Sequence, residues 1–157
     1  MDHGLAMRTA LDLMAQHGVS GAYHFRWMTK KRTKGQCVPP IDGRPGLIQL
    51  SRDYVALNDI DMVRNTILHE IAHAMVGCQH AHNNVWRRQF IAIGGDGSRT
   101  VSPNVKDSTK TYVLNCPKGH ALGTKKGYRM PTAYTAKAKR QARCREHNVP
   151  GLYWTEA

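Results

Sequence analysis

The chain is 157 residues long and carries a formal charge of +12 with its nine histidines neutral, which leaves room for one moderate domain and a small appendage. Its four cysteines are too few for a secreted disulfide framework. Neither a signal peptide nor an apolar run of about 20 residues is visible, so a cytoplasmic protein with no membrane partner is expected.

Residues 4–17 read as an amphipathic helix with Met7, Leu11 and Met14 on its apolar face, closed by Gly18. Tyr23, Phe25 and Trp27 then alternate with His24, Arg26 and Met28, the pattern of a half-buried strand whose aromatic stripe is core. A basic run follows, Lys30-Lys31-Arg32-Thr33-Lys34, and then a turn-rich loop from Pro39 to Gly46 that leads into a strand over 47–51.

The next segment contains His69-Glu70-Ile71-Ala72-His73. On an α-helix two histidines four apart lie one turn above each other, so both imidazoles can reach one metal ion. The intervening glutamate faces the same cavity without binding the ion and can take a proton from water. Nine His and three Glu would produce this motif by chance in roughly one shuffled chain in a hundred. The flanks argue against chance: Val63, Ile67, Ile71 and Met75 recur at four-residue steps, with Asp59 as an N-cap and Gly77 as a stop. Unpaired imidazoles in so apolar a helix would be costly, whereas ligating ones are satisfied.

A catalytic zinc takes a third protein ligand. A Gly and a His three and six residues after His73 would mark the metzincin pattern, but Val76 and Gln79 stand there. The candidates are His80, in a connecting loop, and His82, at the entrance of a second amphipathic segment over 83–93 with Trp86, Phe90 and Ile93 at helical spacing. His82 is favoured because a ligand at the start of a packed helix is rigidly held. Cys78 is a softer competitor that suits buried packing better.

The run HEIAHAMVG, with AHNNVW and FIAIGGDGSR after it, resembles the SprT-like (Spartan-related) zinc metalloproteases. That resemblance implies His82 as the third ligand and Trp86 as the aromatic residue four positions on. Upstream, Phe25, the basic loop to Gly35 and Leu47-Ile48-Gln49-Leu50-Ser51 resemble the hairpin and strand that precede the family's active-site helix.

Toward the C-terminus, Cys116-Pro117-Lys118-Gly119-His120 and Cys144-Arg145-Glu146-His147 form two short knuckles. Their spacing suits a closed tetrahedral zinc site held by Cys116, His120, Cys144 and His147. So few large apolar side chains surround them that a metal is the simplest way to hold the segment together. SprT-like proteins often carry a C-terminal zinc ribbon with four cysteines, and His120 and His147 depart from that pattern. The expected fold class is α+β: a small zincin-like metallopeptidase core over 1–104, in which a small sheet supports the HExxH helix, and a basic zinc-ribbon-like module over 105–157. Residues 95–111 read as a linker, and Cys37 and Cys78 as free thiols.

Residues 105–146 hold eleven Lys or Arg against Asp107 and Glu146 alone. With the run at 30–34, this favours binding to nucleic acid through phosphate neutralisation. Tyr112, Tyr128, Tyr134, Tyr153 and Trp154 either stack on unpaired bases or form the module's small core. The expected function is a zinc endopeptidase with Glu70 as general base; the resemblance implies DNA-dependent cleavage of proteins crosslinked to or bound on DNA, and the aromatic residues among the C-terminal charges favour DNA of single-stranded character as partner. Two alternatives stand beside it: a non-catalytic zinc-containing DNA-binding module, and a repressor-cleaving peptidase of the ImmA/IrrE-like group. The latter usually uses an acidic third ligand, and no Asp or Glu occurs between His73 and Ile93.

Overall fold

Asp2 accepts a hydrogen bond from the Leu5 amide and starts α1 (His3–Gln16). In the computed structural model, which describes residues 1–100, 105–131 and 142–157, the buried face of this helix is Ala6, Ala10, Leu13 and Met14. Met7 and Leu11, expected to face the core, are exposed. Met14 of the expected face is buried, but its companions in the core are Ala6, Ala10 and Leu13 rather than Met7 and Leu11.

Three strands follow: β1 (Tyr23–Met28), β2 (Gly35–Val38) and β3 (Gly46–Ser51). They form a sheet in the order β1-β3-β2, with β1 parallel and β2 antiparallel to β3. The basic run therefore does not join two strands of a hairpin, as the sequence suggested; the hairpin is β2–β3, and β1 runs beside β3 in the same direction. β2 and the short α2 (Arg52–Leu57) that Ser51 caps were not indicated by periodicity, since elements this short complete too little of a repeat.

Asp59 caps the long helix α3 (Ile60–Val76), accepting from the Met62 amide, and Gly77 ends it. Val63, Ile67, Leu68, Ile71 and Ala72 are buried, while Met75, the last of the four-residue series, is 41% exposed. Asn83 caps α4 (Asn84–Ala92) through the Val85 and Trp86 amides, and this helix buries Trp86 and Phe90. One core joins α1, β3, α2, α3 and α4. Among the described residues no helix is long and apolar enough to cross a membrane.

The expected linker begins as part of this core. Asn58 donates to the Lys106 carbonyl at 2.8 Å and accepts from its amide at 2.9 Å, and Val105 packs on the buried cluster. Asn65 likewise exchanges hydrogen bonds with Asp96. Polar composition is equally that of loose chain, but here Asn58 pairs with both backbone groups of Lys106 and Asn65 with the amide and carboxylate of Asp96.

The chain divides into two compact units, Met1–Asp107 and Ser108–Ala157. The second contains β4 (Lys110–Asn115), β5 (Ala121–Gly127) and β6 (Tyr153–Glu156), antiparallel in the order β5-β4-β6. Its buried apolar residues, among those described, are Tyr112, Cys116 and Cys144. Tyr112 is thus core and Tyr153 is exposed, while Tyr134 lies outside the described residues. The described residues form an α+β fold, with two small sheets and four α-helices.

Candidate metal centre

His69 and His73 project from one side of α3, and the turn after it returns His82 to them. The Nε2 atoms of His82 and His69 lie 3.0 Å apart, and those of His73 and His82 lie 3.2 Å apart. In a tetrahedral zinc site with bonds of about 2.0–2.1 Å, neighbouring nitrogen donors are separated by about 3.3 Å. Three imidazole nitrogens converging at this spacing fit zinc in number, type and size. His80 is elsewhere, its Nδ1 3.3 Å from the Asn83 side-chain nitrogen. Cys78 faces Cys37 instead.

The rings are held by packing. Trp86 touches all three, edge-on to His69 and His82 at centroid distances of 4.6 Å and stacked on His73 at 5.3 Å. Its indole nitrogen donates to the His69 carbonyl at 3.5 Å. A ligating histidine usually donates its second ring nitrogen to a carboxylate or carbonyl. The Nδ1 of His73 is buried with no such partner among the described residues, so Trp86 is what fixes that ring.

Burial, with the neighbouring rings second, pushes the His69 imidazole down to about 3. Burial and His82 push His73 down to about 4, and His82 itself is lowered by burial and by Arg99. The trio is therefore neutral at ordinary pH, the form that offers lone pairs to a metal. Burial raises the Glu70 carboxyl to about 8, opposed by a hydrogen bond from the Cys37 backbone N–H. A nearby dication favours the carboxylate and works against that rise.

The room for Glu70 comes from β2. A Cβ at Gly35 would lie 2.7 Å from Glu70 Oε1 and 2.9 Å from Thr66 Cγ2. Neither Gly35 nor the Cys37 amide was found by sequence reasoning; a glycine closing a basic loop was the one available signal. The cleft beside the trio, about 270 Å³, is walled by β2 on one side and by His69, Glu70, His73, Cys78 and His82 on the other. A second, polar cleft shares His69 and Glu70 and adds Lys34, Asn65 and Arg99.

In the second unit the donor atoms of Cys116, Cys144 and His147 lie within 4.8 Å of one another. His147 Nδ1 is 3.4 Å from Cys116 Sγ and 3.6 Å from Cys144 Sγ, close to the roughly 3.6 Å expected between sulfur and nitrogen donors on zinc. Each cysteine opens a tight turn closed by a residue with positive φ, Gly119 at 80° and Asn148 at 52°. Burial raises the Cys116 thiol, but the His120 and Lys118 N–H groups outweigh it and hold the thiol below its ordinary range. His120 does not join the mutual cluster. Its Nδ1 is 3.4 Å from Cys144 Sγ but also 2.9 Å from Glu146, which competes for the same nitrogen.

A helix that presents two imidazoles to a third, beside a buried carboxyl and an open cleft, is the arrangement of a metallopeptidase-type domain. The SprT-like family model matches residues 6–108, and the chain belongs to the SprT-like family. No curated protein matches the sequence.

Proposed function

We propose that the protein is a zinc-dependent endopeptidase acting on proteins bound or crosslinked to DNA. The observation that carries this reading is the triangle of Nε2 atoms at 3.0 and 3.2 Å beside the buried Glu70. In this account residues of the first unit form a zincin-like core, with His69, His73 and His82 holding the ion. Zn²⁺ at such a site polarises the scissile carbonyl and acidifies water.

The chain's own groups do the rest. Glu70, oriented by the Cys37 amide and fitted against Gly35, accepts a proton from the attacking water and delivers it to the departing amine. Trp86 and Phe90 pack behind the imidazoles and exclude water from that side. A purely structural ion would need neither a carboxyl at this position nor an open cleft.

The second unit is a zinc-ribbon-like module whose ion is held by Cys116, Cys144 and His147, with His120 as fourth ligand once it leaves Glu146. Lys118, Lys125, Lys126, Arg129, Arg143 and Arg145 are exposed on this unit, and such a surface binds DNA by releasing counterions. Tyr153, exposed among them, is the aromatic best placed to meet an unpaired base.

The test is Glu70→Gln assayed on a DNA-bound protein with and without DNA. Zinc content should match wild type, while cleavage falls by about 10²–10⁴-fold. Undiminished cleavage by this variant would refute the assigned base.

A further inference from the structure

Cys37 and Cys78 are 41 residues apart in sequence, yet their sulfurs are 3.8 Å apart. Cys37 lies in β2, and Cys78 opens the turn that follows α3. Both line the cleft of the imidazole trio, and both are only partly buried, so a small oxidant can reach them. We propose that these two thiols form a reversible disulfide on exposure to a peroxide, and that closing it slows the enzyme.

The chemistry balances with hydrogen peroxide as oxidant. One sulfur attacks the O–O bond, forming a sulfenic acid and releasing one water. The second sulfur displaces the sulfenic oxygen, which leaves as a second water carrying the remaining thiol proton. Two thiols are oxidised and one peroxide is reduced. Burial raises the Cys37 thiol, so whichever sulfur attacks, it must first give up its proton, which leaves in the water formed at that step.

The mechanical consequence follows from where Cys37 sits. A disulfide requires the sulfurs to approach to about 2.05 Å, so about 1.8 Å must be taken up by rotation of the two side chains together with β2 and the 78–80 turn. The Cys37 amide is the hydrogen-bond donor to Glu70, and Gly35 in the same strand packs against that carboxylate. Any movement of β2 is therefore passed directly to the proposed base. A misplacement of about 1 Å at a reacting group is enough to cost on the order of 100-fold in rate. This inhibitory half rests on the hydrolytic reading, whereas the crosslink does not.

The experiment uses the full-length, zinc-loaded protein, treated with hydrogen peroxide, quenched with catalase and blocked with N-ethylmaleimide before peptide mapping. The expected result is a linked Cys37–Cys78 peptide with zinc content unchanged. Cleavage of a DNA-bound protein should fall on the order of 100-fold and return with dithiothreitol. Cys78→Ser should keep the same ratio of treated to untreated activity near one. Maleimide on both thiols after peroxide, a crosslink with undiminished turnover, or an equal loss in Cys78→Ser would each overturn the proposal. Absence of cleavage in the reduced protein would instead refute the hydrolase reading, and the peptide map would still decide the disulfide.

Discussion

Gly35 is where a single methyl group would press directly on the Glu70 carboxyl. Its missing Cβ leaves space for Glu70 Oε1 at 2.7 Å and Thr66 Cγ2 at 2.9 Å. Gly35→Ala should leave the three imidazoles and their zinc content intact while lowering turnover by about 10–100-fold, because the carboxylate must swing aside. Steady-state kinetics beside metal analysis checks this, and wild-type turnover would contradict it. The imidazoles themselves predict a pH response of the metal-free protein. His69 and His73 are pushed down to about 3 and about 4 from 6.5, so between those values the unfolded chain binds protons that the folded one refuses. Their contribution to stability is full above 6.5 and is lost progressively as pH falls toward 4. Glu70, raised to about 8, responds in the opposite sense over this range, so in chelated Glu70→Gln the urea midpoints should fall between pH 7 and pH 4.5, and a flat profile of that variant would argue that these rings are not buried as described.

Elements place these residues by the contacts they make far along the chain. α3 has caps and apolar spacing that are local, so its extent was legible in the sequence. β2 has four residues and no alternation, and it exists because β3 offers it an antiparallel edge. The segment at 105–107 is similar: Asn58 satisfies both backbone groups of Lys106 and also donates to the Tyr54 carbonyl. Asn58→Ala strands those buried groups, so a loss of about 1–3 kcal/mol is expected from denaturant unfolding. A change within a few tenths would show that solvent replaces the asparagine at no cost. Nothing in the local pattern of residues 95–111 announced this pairing, since polar composition is equally that of a linker.

At the scale of the molecule the described residues of the two units differ in how much apolar surface they bury. Residues 1–107 share an apolar core with fully buried Trp86, Phe90, Ile48, Leu50, Ile67 and Ile71. Among its described residues the second unit buries little beyond Tyr112 and its two cysteines, too little apolar surface to offset the entropy of ordering those residues. Cys144→Ser should therefore release metal from this unit and collapse the amide dispersion of 108–157, with the signals of the first unit retained. Retained dispersion in both units would show that metal does not hold the second one. The same variant should weaken DNA binding, since unfolding disperses the basic surface that the proposal relies on.

Sequence alone determined the features that repeat or cap locally. These are the helix carrying His69, Glu70 and His73, the strand expected over 47–51, the amphipathic segment expected over 83–93, and the two cysteine knuckles, because spacing along one element is set by backbone geometry. Tertiary structure decided which face of α1 is buried, how the strands pair, and that His120 is shared with Glu146. It also brought Gly35 and the Cys37 amide to Glu70, and the sulfur of Cys37 to that of Cys78. Those outcomes depend on how distant segments close on one another, and a linear pattern of residue types carries no record of that closure.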